Sequence, residues 1–249
     1  MVADFLGANK GEKMTIDEAV FERHSVRSYT SKPLTKEQIE ELQSRITNLN
    51  ESFALHMQLV LNDDVAFSGR LAHYGSFKNV TNYIAVAGQK SVAGCESSLD
   101  ERSGYAVANL VILAQMLGLN TCVVGLTFKK SSTIEINDDE KLELVIAIGF
   151  GETQGVQHAM KPATRIAPDY DSAPDWFKKG IDYVMLAPSA LNQFKARFSV
   201  DENGHVFAKA RFAPFAKVDL GIFKYFFELG AGKEIFRRSM QTLRSSDVI

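Results

Sequence analysis

The stretch 107–117 constrains this chain most. Val107, Leu110, Val111, Ala114 and Leu117 recur at helical spacing, and the opposite side is largely apolar too. A helix apolar nearly all round has no face to give to water, so it belongs at the centre of a core. Gly118 supplies its stop. Immediately after it, Thr121-Cys122-Val123-Val124-Gly125 suits a short buried strand, as do 83–87 and 142–150. Phe53, Leu55, Met57, Leu59 and Leu61 alternate with smaller or polar residues and predict a strand with one buried face.

Two helices precede these strands. Thr15-Ile16-Asp17-Glu18 is a capping box that opens a helix to about residue 23. Thr35 and Gln38 form a second box, opening a helix through about residue 46. The later part of the chain reads as a polar linker over 151–171, then a helix with Ser172 as cap and Pro174 in its first turn. That helix stops at Ala187-Pro188. A hairpin follows: Phe194, Ala196, Phe198 and Val200 alternate, 201–204 turns, and a second strand covers 205–211. Residues 219–229 form a last helix, aromatic on one side. Its Leu229-Gly230 ending echoes Leu117-Gly118, which suggests an internal duplication.

Charge and cysteine usage exclude several classes. Acidic and basic residues are mixed, with a formal net charge of -2 and no long basic run, which argues against nucleic acid as the main partner. Two cysteines, Cys95 and Cys122, are too few for a disulfide framework and read as reduced thiols of the cytoplasm. No window of 18 apolar residues suits a membrane span. Residues 1–13 read as a polar leader without a signal peptide's apolar core, with Met14 a plausible natural start. Gly149-Phe150-Gly151-Glu152-Thr153-Gln154-Gly155 follows a strand, but its third glycine comes one residue late and no apolar helix follows, so it reads as a turn. Gly230-Ala231-Gly232-Lys233 lacks the first glycine and the Ser/Thr of a phosphate loop. His24, His56, His73, His158 and His205 show no metal spacing.

Three clusters carry chemistry. Arg23, Ser25 and Arg27 lie within five residues at the end of the first helix and could converge on a phosphate, since guanidinium forks match that group. Cations near a helix C-terminus are also what its dipole favours, so residue chemistry alone leaves both readings open. Ala187-Pro188-Ser189-Ala190-Leu191-Asn192-Gln193 offers hydrogen bonds between a helix and a strand, or is simply a polar turn. Leu117-Gly118-Leu119-Asn120-Thr121-Cys122 leads through a buried strand to Val124-Gly125-Leu126, where glycine lets backbone approach a flat ligand closely. The same run is also an ordinary helix-to-strand connection.

Together the three clusters resemble the nitroreductase family, over about residues 15–229. Their order is similar to the branch labelled putative TM nitroreductase, in which one chain resembles a fused form of the usual nitroreductase dimer. The resemblance implies an α+β fold: an α/β/α sandwich with a mixed, mainly antiparallel sheet, built as a single-chain pseudo-dimer with halves 14–155 and 156–249. It implies FMN at their junction and NAD(P)H as co-substrate. Arg23 and Ser25 would hold the FMN phosphate, and Arg27 the phosphate or the pyrimidine edge. Pro188, Ser189 and Asn192 would approach the ring or ribityl chain from the second half. Val124, Gly125 and Leu126 would lie along the flavin, with a backbone amide facing N5. Lys161 resembles a late basic position near the phosphate. The usual Asn-x-Gln-Pro-Trp continuation is missing, because Phe194-Lys195 follows Gln193. The implied activity is electron transfer from NAD(P)H to a nitroaromatic, a quinone or another small acceptor. No side chain is indicated as acid or base. A flavin-storing or flavin-sensing module, or an enzyme of the same fold with another substrate, would carry the same motifs. The expected assembly is a monomer or a weak homodimer, with no nucleic-acid or membrane partner.

Overall fold

Both capping boxes form. In the computed structural model Thr15 Oγ1 accepts from the Glu18 amide (3.2 Å), and Glu18 reaches back to the Thr15 amide (2.8 Å), opening helix α1 (Ile16–Glu22). Thr35 and Gln38 do the same for α2 (Lys36–Phe53). Residues 13–68 and 75–241 are described; the first twelve residues of the expected leader, and His73, lie outside them.

Helix α2 runs seven residues past the expected end near 46. Leu42, Ile46, Leu49 and Phe53 continue one buried stripe, so tertiary burial keeps the helix going until Ala54 turns left-handed (φ 46). Phe53, expected to start a strand, is the last helical residue. Strand β1 is Leu55–Val60.

Strands β2 (Tyr83–Gln89), β3 (Asn120–Val124) and β4 (Glu140–Gly149) complete an antiparallel sheet of order β1-β2-β4-β3. Alternate residues divide between its faces: Ile84, Val86, Leu144, Ile146 and Ile148 join the main core, while Tyr83, Ala85, Val145 and Ala147 meet Val26, Tyr29, Phe77 and Val80 on the other side. Burial on both faces explains why these strands read as continuous apolar runs.

The expected central helix is α3 (Leu99–Met116), closed by Gly118 at φ 72. One side lies on the sheet and the other packs against α5 (Ala216–Ala231). The crossing is reciprocal. A Cβ on Gly104 would sit 2.0 Å from the Val218 carbonyl oxygen, and a Cβ on Gly221 would sit 2.0 Å from that of Glu101. Only glycine lets the two backbones come so close.

Between them the chain forms α4 (Asp175–Leu186) and a hairpin of β5 (Ala196–Val200) and β6 (Val206–Ala210). Four expectations need correction here. Ser172 does not cap α4: its hydroxyl donates to Asp169 O, and Pro174 stands at the N-cap. The stretch 151–171 is no free linker, since Ile166 and Ala167 are buried and Ile166 O accepts from Phe198 N (2.7 Å). Helix α5 begins three residues before Asp219. It also runs through Gly230 and stops at Gly232, with φ 65, so the echo of Leu117-Gly118 is shifted by two residues. Gly230 is small because the Lys179 carbonyl and the Tyr183 ring press on it. A short helix α6 (Arg237–Met240) follows. The two halves are unequal among the described residues: the four-stranded sheet lies in the first and the two-stranded hairpin in the second.

Candidate functional site

Arg23, Ser25 and Arg27 lie just past α1, in extended chain rather than on the helix. Ser25 bridges Thr121 of β3 in parallel, and Val26 N donates to Thr121 O (3.0 Å). Successive side chains of an extended segment point to opposite sides, so positions 23, 25 and 27 share one. All three act on Cys122: burial pushes its thiol up, while the Arg27 and Arg23 charges and a Ser25 hydrogen bond oppose that.

The three are not equally buried. Arg27 is exposed and Ser25 half-buried, but Arg23 is only 4% exposed. Burial lowers the Arg23 pKa to about 10. No carboxylate pairs with it among the described residues. Its Nη2 donates to Leu186 O (3.2 Å), and its Nε has no acceptor. A desolvated cation with spare donors is costly unless an anion completes it.

Leu186 ends α4, so that one bond joins the first motif to the second. Beyond Ala187 and the half-buried Pro188, the Ser189 hydroxyl is buried without a partner. Asn192 Nδ2 donates to Ala159 O (2.9 Å), two residues before the half-buried Lys161. Leu191, Asn192 and Phe194 are all left-handed, at φ 53, 53 and 52. Such backbone in non-glycine residues costs on the order of 1 kcal/mol each and collects where a segment is held for a purpose. Phe194 is buried and stacks on Phe223 (5.5 Å, 6°).

Val124 is buried at the end of β3, and Leu126 is 71% exposed. The space a Cβ on Gly125 would take is filled by the Phe215 ring, 2.6 Å from that position. Phe215 caps α5, whose first turns also reach the second motif: both Asp219 oxygens accept from Ala190 N (3.0 and 3.1 Å). Contacts thus link parts of the three motifs: Arg23 meets Leu186, Ser25 and Val26 meet Thr121, Asn192 meets Ala159, His158 meets Met185, and Phe215 and Asp219 reach Gly125 and Ala190.

A family model described as "Putative TM nitroreductase" matches residues 15–231. The chain belongs to this nitroreductase family. A "putative nitroreductase" from Thermotoga maritima has the same fold: it aligns over 94% of this chain and 90% of its own, at 21% identity and a TM-score of 0.65. A "putative nitroreductase" from Desulfovibrio desulfuricans, solved in complex with FMN, aligns over 61% of this chain and 94% of its own, at 18% identity and a TM-score of 0.48. No curated protein matches the chain. Among the described residues, no helix is long and apolar enough to cross a membrane.

Two residues among these contacts, His158 and Asp219, were not singled out from the sequence. His158 Nε2 donates to Met185 O (2.9 Å), which fixes the proton on that nitrogen. Burial, then the Arg23 charge, lower the His158 pKa against that bond, and burial, Arg23 and His158 lower that of His24. Asp219 is 4% exposed, and burial raises its pKa to about 7. An acid inside the apolar run 218–223 was the available clue.

Proposed function

We propose that this chain is an FMN-dependent oxidoreductase carrying electrons from NADH or NADPH to a small acceptor such as a nitroaromatic or quinone. One observation carries the reading: Arg23 is a buried guanidinium with a single carbonyl partner, facing a segment whose Ser189 hydroxyl is also unpartnered. A phosphate monoester supplies the missing anion for the first and acceptors for the second. FMN is the cofactor that the resemblance to this family implies.

Bound FMN would supply the redox chemistry, hydride acceptance from a nicotinamide and onward electron transfer. The protein's part is placement. Arg23 and Ser25 hold the phosphate, with Lys161 near it, and Arg27 reaches the phosphate or the pyrimidine edge. Pro188, Ser189 and Asn192 close on the ring or ribityl chain from the second half. Val124, Gly125 and Leu126 lie along the ring and present a backbone amide. Leu126 and Leu191 expose apolar side chains to solvent that a planar acceptor would meet.

The pseudo-dimer belongs to this reading. In a two-fold contact, residue i meets j and j meets i. The Gly104–Val218 and Gly221–Glu101 contacts follow that rule: Glu101 and Gly104 are three apart on α3, as Val218 and Gly221 are on α5.

Absorbance spectroscopy of the purified chain, with mass identification of the released ligand, tests the cofactor. A flavin spectrum is expected in the wild type and its loss in the Arg23→Ala/Arg27→Ala variant; full flavin content in that variant would refute the phosphate assignment. Stopped-flow mixing with NADH and NADPH should bleach the flavin band. A flavin that neither nicotinamide bleaches would overturn the electron-transfer reading and leave a flavin carrier.

A further inference from the structure

At the other end of α5 from Asp219, a chain of hydrogen bonds stops without an acceptor. Arg45 of α2 donates from Nη1 to Asn109 Oδ1 of α3 (2.7 Å), and Asn109 Nδ2 donates to the Tyr225 hydroxyl oxygen of α5 (3.0 Å). Every donor points the same way, so the Tyr225 proton has no acceptor among the described residues. Burial raises the Tyr225 pKa to about 12, so the hydroxyl stays protonated at neutral pH. Arg45 is half-buried, has no carboxylate partner among the described residues, and keeps its remaining guanidinium donors unused.

All three residues line one cleft of about 710 Å³ between α2, α3 and α5. That is within the roughly 300–1,000 Å³ of small-molecule sites. Its inner wall is aromatic: Tyr105 stands edge-on to Tyr225 (5.2 Å, 83°) and tilts against Phe53 (5.4 Å). The nearby acids are largely engaged. Glu228 gives one oxygen to the amides of Ile235, Phe236 and Arg237 and the other to the Tyr105 hydroxyl. Glu234 pairs with Arg237 (2.9 Å). Glu51 is exposed and makes no ion pair with Arg45.

From these contacts we infer that the cleft is a second binding site, independent of the flavin junction, that takes a small aromatic carboxylate. The carboxylate accepts from Arg45 and from the Tyr225 hydroxyl, and the ring lies against the Tyr105 side. Charge-assisted donors on a half-desolvated fork supply the preference for an anion over a neutral isostere.

Titration calorimetry on the full chain as purified tests this with 2-naphthoate and its uncharged counterpart 2-naphthamide. Naphthoate should bind one to one, about tenfold or more tighter than naphthamide. Arg45→Gln should weaken naphthoate about tenfold and Tyr225→Phe about fivefold. Both should leave naphthamide affinity, flavin content and melting temperature unchanged. Tyr225→Phe keeps the ring against Tyr105, so its effect reads the hydroxyl rather than the fold. Absence of naphthoate binding, equal affinity for the two compounds, or undiminished naphthoate affinity in both variants would overturn the assignment. The last outcome would put the anion elsewhere, including the flavin junction.

Discussion

Arg102 and Arg23 are both buried guanidinium groups with no carboxylate among the described residues, and they are finished differently. Arg102 donates to the carbonyls of Phe53, Ala54 (3.1 Å) and Gln89 (2.8 Å). The first two lie at the C-terminal end of α2, where the helix dipole is negative. Arg23 has Leu186 O alone. Nε lacks an acceptor in both, so the contrast rests on the two forks. A buried cation whose fork is filled by carbonyls is architecture; the open fork of Arg23 is what the proposed phosphate would complete. Ser189 lies three residues beyond the Leu186 partner of Arg23, and Asp219 holds the Ala190 amide next to it, so several incompletely satisfied groups lie close together there. Proteins concentrate such unfavourable features at functional sites.

Arg102→Met gives the largest expected effect. It takes their donor from the carbonyls of Phe53, Ala54 and Gln89 and should destabilise the fold by about 3–5 kcal/mol in urea unfolding. The FMN affinity of the remaining folded protein should stay unchanged. A loss below about 1 kcal/mol would erase the distinction between the two arginines.

Arg23→Met should behave in the opposite way. Without ligand, stability should stay within about 1 kcal/mol of wild type or rise, because a poorly compensated buried charge has gone. FMN affinity, read by fluorescence titration, should fall about 100-fold, equivalent to ~2.7 kcal/mol. Unchanged FMN affinity together with a stability loss like that of Arg102→Met would make Arg23 structural as well.

This contrast was only partly legible in the sequence. Elements whose signal is local stood out: the boxes at Thr15 and Thr35, the alternation of Ala196 to Val200, and the apolar surface of α3. Elements that depend on distant partners did not. Helix α2 continues because Leu49 and Phe53 meet the core, and Ser172 yields to Pro174 because of its bond to Asp169. At the site, the 23-25-27 spacing was visible, yet it works as an extended segment against Thr121 rather than as a helix end. Burial separates Arg23 from Arg27, and burial follows from contact with Leu186, 163 residues away. Asp219 and His158 gain their meaning from partners 29 and 27 residues off, which no local pattern announces.

Asp219 gives the smallest of these effects and puts a charge of the other sign beside the same junction. Its carboxyl has one donor, Ala190 N, and burial raises its pKa from 3.8 to about 7. The native state therefore holds this proton more tightly than the unfolded chain. Below about pH 4 both states are protonated and burial of the group as an ion costs nothing. As pH rises from 4 the unfolded chain ionises first, and stability is lost until the native carboxyl ionises near 7. Asp219→Asn keeps an oxygen for the Ala190 amide and carries no charge. It should be more stable than wild type by about 2 kcal/mol at pH 8, with the difference vanishing towards pH 4. His24 and His158, whose pKa values are lowered, tilt the profile the other way in both proteins, so the difference between the two profiles isolates position 219. A flat difference from pH 4 to 8 would mean that Asp219 titrates normally. The open fork of Arg23 would then be the one incompletely compensated charge in this comparison.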